Sequence, residues 1–193
     1  MKRMVIAVVG LVAVLVLGGC AQTSQQLRLA PDAEVEESSI GEGHEVAVRV
    51  VDEREDKRLG ELENRDGSSG ELTSATEPRY ILLGALEKAL EANGFTIAEW
   101  DREAERRLEV KIVELEHRVS DGVPRDVSTR IELRSEAVRG DSRLTGTATA
   151  RDRDRISYRP SAEDNAAYLD RVIGRALGRV VNVDLLDFLA SES

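Results

Sequence analysis

One cysteine, at position 20, is all that this chain of 193 residues offers. Without a second thiol there is no intramolecular disulfide, and thiolate metal sites are excluded. Histidine is nearly as scarce. His44 and His117 are the only two, which rules out a histidine-rich metal centre and leaves at best a weak site of one imidazole with carboxylates. Aromatic residues make up 3% of the chain, so the core is expected to be aliphatic, built from Val, Leu, Ile and Ala. Positive charge is also in short supply: 27 Lys+Arg stand against 37 Asp+Glu, a net of −10. Phosphate backbones are held by clustered Lys and Arg, and no basic stripe is present, so nucleic acid is not an expected partner. Electrostatic attraction to anionic lipid is disfavoured for the same reason.

Long apolar runs are absent too, except at the start. Lys2 and Arg3 precede Met4 to Leu17, an unbroken stretch of 14 apolar or glycine residues. That is too short to span a bilayer, which takes about 20 residues for roughly 30 Å of hydrocarbon, and it has the length of a signal-peptide core. The stretch ends in Leu17-Gly18-Gly19-Cys20, followed by the polar Ala21-Gln22-Thr23-Ser24. This block resembles the lipobox of bacterial lipoproteins. The resemblance implies that residues 1–19 are a cleaved leader and that Cys20 is the lipidated first residue of the mature chain. It also implies that Ala21, where an Asp resembles an inner-membrane retention mark, favours the outer membrane, with the domain facing the periplasm. Two or more acyl chains make such attachment effectively permanent. Residues 20–43, rich in Ser, Gln, Glu and Asp with little period, are expected to form an acidic, flexible tether of roughly 25 to 30 Å root-mean-square reach.

The remaining residues, 44–190, fit a single globular domain. Glu45 to Asp52 is valine-rich and reads as a strand entering a charged loop. The stretch 52–76 has no sustained apolar period and is expected to be a long loop, functional or disordered. Pro78, set at a first helical turn, precedes Leu82, Leu83, Leu86, Ala89 and Leu90 at helical spacing, with Gly94 as the stop. Phe95 to Ala98 gives a short strand. Apolar and polar residues then alternate three times: Leu108, Val110, Ile112; Val127, Thr129, Ile131, Leu133; and Leu144, Gly146, Ala148, Ala150. Period two over three segments predicts an antiparallel meander with one buried and one wet face. Asp121-Gly122 with Pro124, and Gly140-Asp141-Ser142, supply the turns. Ser161 with Asp164 approximates a capping box, and Leu169 to Val181 fill one helical stripe, the clearest helix in the chain. The expected fold is α+β, a two-layer sandwich with a mostly antiparallel sheet and two amphipathic helices on one face, in the order β-α-β-β-β-β-α.

Several features together resemble the YajG-type envelope lipoproteins. They are Cys20 in its lipobox, the strand Val46 to Asp52, the segment Asp52-Glu53-Arg54-Glu55-Asp56 before Leu59-Gly60, and Leu86 to Leu90 leading to Gly94-Phe95. The resemblance covers nearly the whole chain, leaves room for a strand within Gln26 to Ala30, and implies no assigned activity. The element order is also similar to the amino-terminal domain of TolB and to lipoprotein domains that activate peptidoglycan synthases, an architectural likeness that does not fix function.

No complete catalytic constellation is found. Gly140-Asp141-Ser142-Arg143-Leu144 echoes the nucleophile block of some ester hydrolases, yet no histidine follows His117 to act as base, and turn chemistry explains the block. His117 is expected to be solvated at a strand end. Asp52, Glu53, Glu55 and Asp56 are interleaved with Arg54, Lys57 and Arg58, which argues against calcium. The loop residues Asp52, Arg54, Asp56 and Arg58 are therefore the candidate partner-contact site, with a merely solvated loop as the alternative. The wet face bearing Arg130, Glu132, Arg134, Thr145, Thr147 and Thr149 has the same two readings. No metal and no cofactor beyond the lipid on Cys20 is expected. The functional expectation is a non-enzymatic lipoprotein contacting another envelope component, such as a peptidoglycan-related protein. A hydrolase acting on peptidoglycan or lipid is the rival, and an oligomer-forming subunit the third possibility.

Overall fold

A computed structural model describes residues 24–192. The expected leader and Cys20 lie outside the described residues. The elements run β1 (Gln25–Leu27), β2 (Glu45–Asp52), β3 (Gly60–Glu63), β4 (Ser69–Ser74), α1 (Pro78–Glu91), β5 (Thr96–Ala98), β6 (Arg106–Val119), β7 (Arg125–Arg139), β8 (Ser142–Ile156), α2 (Ala162–Val180) and α3 (Val183–Ala190). The α+β class holds. The antiparallel two-layer sandwich with two helices does not: among the described residues the sheet is mixed, curls into a half-barrel and is accompanied by three helices.

β6 is the reason for the mixed topology. At 14 residues it spans roughly 45 Å at the usual strand rise, long enough to carry two strands in series along one edge. β2 pairs with Ala47 opposite Arg107 through Asp52 opposite Ile112, and β3 takes over with Gly60 opposite His117; both pairings are parallel. β7 covers the other edge of β6, and β8 follows it, both antiparallel. This is the meander that the alternating residues require, extended by several residues at each end. β5 borders β2, β4 pairs with β3 as a hairpin, and β1 closes that side parallel to β4.

The helices begin where their caps place them. Pro78 opens α1. At α2, Ser161 Oγ accepts from the Asp164 backbone N–H at 3.1 Å and the Asp164 carboxylate accepts from Ser161 N–H at 2.9 Å, a complete capping box. Asn182 caps α3 through the Leu185 N–H. α2 packs on β7 and β8, and α1 packs on β2 and β5 and touches α2. One continuous aliphatic core results.

Residues 24–43 correct the expectation of a flexible tether. Leu27 is fully buried in β1, a burial that contributes about 1.5 to 3 kcal/mol for a leucine side chain. The chain then lies across α2, with Glu34 N–H donating to Gly174 O at 3.1 Å. Gly174 and Gly178, one turn apart, make room for it: a Cβ at either would stand 2.3 Å from the carbonyl oxygen of Asp32 or Glu34. Low periodicity misled here because the segment is bound through its backbone and two glycines rather than through an apolar stripe.

β8 is an edge strand whose outward backbone groups are partly occupied. Arg179 donates to Thr149 O and Arg175 to Arg151 O, both from α2. The carboxylates of Asp152 and Asp154 accept from the N–H groups of Arg153 and Arg155 at 3.1 and 2.7 Å.

Candidate functional site

Where β2 leaves β6 and before β3 joins it, the edge of β6 has no strand beside it, and the loop after Asp52 spans that gap. Within it the pattern Asp-x-Arg occurs twice. Arg54 N–H and Nε donate to Asp52 Oδ1 at 3.1 and 2.9 Å, and Nη2 to Oδ2 at 2.8 Å. Arg58 repeats the geometry on Asp56: its N–H reaches Oδ1 at 2.9 Å and Nη2 reaches Oδ2 at 2.7 Å. Each aspartate thus closes a tight local turn and forks onto the guanidinium two residues ahead.

The two copies face opposite ways. Arg54 is buried, 6% exposed, and its Nη1 donates to Arg58 O at 2.9 Å and Leu115 O at 3.3 Å. It thereby satisfies a β6 carbonyl in the gap between the two parallel ladders, a position where an unpaired group would be costly. Burial works to raise the Asp52 carboxyl, but the bonds and charge of Arg54 outweigh it and hold the group below its ordinary range. Asp56 and Arg58 instead stand out in solvent, 60% and 45% exposed. Hydrogen bonds from Arg58 bring the Asp56 carboxyl down to about 2. Of the four expected contact residues, Asp52 and Arg54 therefore brace the fold, and Asp56 and Arg58 are presented outward. The stretch 52–76 is not one loop: β3 and β4 form a hairpin inside it.

Arg54, Asp56 and Arg58 line a groove of about 310 Å³, together with Glu55, Glu61 and Arg118. Its floor is β6 at Val113 to Glu116, where the register slips between Ile112 and Glu114. This bulge reverses the inward face of the strand. Leu108, Val110 and Ile112 point to the core before it, and Leu115, His117 and Val119 after it. On the other side of the loop a second hollow of about 480 Å³ is lined by Asp52, Lys57, residues 73–75 and residues 77–79.

The bulge also overturns the expectation of a solvated His117, which is fully buried. Nε2 lies 2.9 Å from Asn165 Oδ1, and Nδ1 lies 2.7 Å from Thr129 Oγ1. The Asn165 amide nitrogen donates to Gln25 Oε1 at 2.8 Å. Asn165 Oδ1 is then an acceptor only, so Nε2 carries the imidazole proton and Nδ1 accepts from the Thr129 hydroxyl. Burial lowers the His117 pKa, against the Asn165 bond that raises it, and the ring is neutral. Tyr168 stacks on the ring at 5.8 Å and donates to Asp154 Oδ2 at 2.7 Å. Both ring nitrogens are committed, which leaves no lone pair for proton transfer to a substrate. The network welds β1, β6, β7 and α2 together.

Gly140-Asp141-Ser142 forms the hairpin turn between β7 and β8, with Arg139 paired to Ser142. On the wet face, Arg130 pairs with Glu114 at 2.8 Å, and Arg134 lies 3.5 Å from Glu132, a ladder of internally matched charge. Nothing in the alternation of β6 marks the bulge except the adjacent pair Ile112-Val113. The doubled Asp-x-Arg was visible in the sequence, but which copy turns inward was not.

Comparison with other proteins agrees with the lipoprotein resemblance. A family model described as uncharacterized lipoprotein matches residues 31–187. No curated protein matches the chain. Among solved structures, protein XCC0632 from Xanthomonas campestris, of family DUF330, is similar at 12% identity and a TM-score of 0.58, covering 86% of this chain and 97% of its own. A second crystal structure, of an uncharacterized protein, gives 10% identity, a TM-score of 0.51, and coverage of 83% and 100%. At such identities the likeness shows the fold alone. Lipoprotein GNA1162 from Neisseria meningitidis gives 12% identity and a TM-score of 0.38, covering 77% of this chain and 99% of its own. With the match spanning most of its length, the chain belongs to this family of uncharacterized lipoproteins.

Proposed function

We propose that the domain is a non-enzymatic binding module, held on the periplasmic face of the outer membrane by lipid on Cys20. Its groove at the crossover loop takes a segment of another envelope component, for which a peptidoglycan-related protein is the expected class. The observation that carries this reading is the doubled Asp-x-Arg. One copy is consumed by the fold, whereas the other sits on the rim of a concave surface with its carboxylate ionised and its guanidinium exposed. The groove is lined by Glu55, Asp56, Glu61, Glu114 and Glu116 against three arginines that already have carboxylate partners, and this acidic concave surface suits an extended segment with basic side chains.

Photo-crosslinking in living cells tests it. A crosslinker at Glu55 is expected to give a discrete protein adduct, weakened by Glu61→Lys, while the same group at Tyr80, exposed on α1, gives none. Equal labelling from both positions, or no adduct from Glu55, refutes the groove as the contact. The hydrolase reading is tested on purified protein with sacculi and ester substrates. Turnover abolished by Glu114→Gln or Glu116→Gln would replace the binding reading with an enzymatic one.

A further inference from the structure

The exposed apolar side chains of the domain are not scattered evenly. Among the described residues, four large hydrophobic side chains are exposed: Tyr80, Val123, Tyr158 and Val183. Val123 lies in the β6–β7 turn and Tyr158 just beyond β8, and the pairing of Arg125 with Ile156 puts both at one end of the sheet. That end is also where the described chain begins. Gln25 Nε2 donates to Pro160 O at 3.4 Å, two residues from Tyr158, and Ser24 Oγ accepts from Glu71 N–H at 3.1 Å.

Cys20 precedes Ser24 by four residues, so the link between them spans at most about 14 Å when fully extended. A domain tied by so short a link keeps the end bearing Ser24 against whatever holds Cys20. We infer that this end of the domain rests on the bilayer, with Val123 and Tyr158 entering the boundary between head groups and acyl chains. The inference rests on the reading that Cys20 carries lipid. Tyr suits that boundary because its ring is apolar and its hydroxyl stays wet. The acidic chain has no general attraction to anionic lipid, so the contact is made by side-chain insertion. Arg65 and Arg159, exposed and without an ion pair among the described residues, flank it for lipid phosphates, while Asp66 at the same end is engaged by Ser68. Val183 marks the far end: α3 is tied there by Arg106 to Leu189 O at 2.9 Å.

The mature lipoprotein, purified from membranes and reconstituted in vesicles containing brominated lipid, tests this. A lipidated Cys20 leaves no free thiol, so Val123→Cys, Tyr158→Cys and Val183→Cys each accept one environment-sensitive fluorophore. Quenching by brominated acyl chains is expected to be several-fold stronger at 123 and 158 than at 183. With one label per chain, equal quenching at all three positions overturns the inference and leaves the anchor standing; docking of that end on a second copy or another protein would give this result. Labelling of Cys20 itself, seen as two fluorophores per chain, removes the anchor and the inference together.

Discussion

His117 Nε2 lies 2.9 Å from Asn165 Oδ1, and this contact ties the sheet to α2 through a histidine that is neutral in the fold. Its pKa is lowered by burial, so the unfolded chain, with a histidine near the usual value of about 6.5, takes up a proton first as pH falls. The stabilisation is therefore full above about pH 6.5 and is lost as pH falls from there toward the depressed folded value. Urea denaturation of the wild type is expected to show stability dropping between neutral and mildly acidic pH. His117→Gln, weaker by about 1 to 3 kcal/mol at neutral pH from lost hydrogen bonds, should show a flatter profile over that window. Parallel profiles for the two proteins would mean that His117 does not set the slope.

Arg54 and Arg58 share a motif and not a task. Arg54→Ala removes the guanidinium from the nearly buried Asp52 carboxylate, which keeps the residue 54 N–H and Lys57 at 3.5 Å, and leaves Leu115 O without its donor, a loss that should cost about 3 kcal/mol. Arg54→Lys should not restore it, because an ammonium has no planar fork to serve the carboxylate and both carbonyls. Arg58→Ala should leave stability essentially unchanged, since its pair is exposed and screened by solvent. Chemical denaturation of the three variants decides between these, and equal losses for Arg54→Ala and Arg58→Ala would contradict the assignment.

Gly60 has no room for a side chain. Its φ is +152°, and an added Cβ would fall 1.7 Å from His117 O. Gly60→Ala must push β3 off β6, and a loss of at least about 2 kcal/mol is expected. Hydrogen exchange should show faster exchange at the His117 N–H, which donates to Leu59 O at 2.8 Å.

The segment before β2 should behave as part of the domain. Leu27→Ala is expected to cost about 2 to 5 kcal/mol, as for a buried core leucine. Gly174→Ala with Gly178→Ala should lift residues 32–34 off α2, seen as faster proteolysis in that stretch. A Leu27→Ala protein as stable as wild type would restore the flexible-tether reading.

The parts of the fold that were legible are those held by side-chain periodicity. α2 announced itself through a full apolar stripe and a capping box, and β6, β7 and β8 through alternation. β3 and β4 each commit a single leucine to the core, Leu62 and Leu72, so no period exists to be read; they are strands because β6 offers them an edge. β1 is the same case with Leu27. In β8 the run Arg151 to Arg155 has no apolar residue, yet it stays extended because β7 runs alongside it. The candidate site was half visible. Asp56 and Arg58 are where the charged loop placed them, whereas the inward turn of Arg54 and the burial of His117 depend on a gap and a bulge that only tertiary pairing creates.

The side chains that occupy the outer edge of β8 matter most for a protein confined to a surface. Molecules bound to a membrane meet one another at high local concentration and in a common orientation, the conditions under which a bare strand invites a neighbour to extend its sheet. With Arg175, Arg179, Asp152 and Asp154 already bonded along the second half of that strand, the ladder that a crowded neighbour would need there is interrupted, which disfavours polymerisation of the lipoprotein through that stretch.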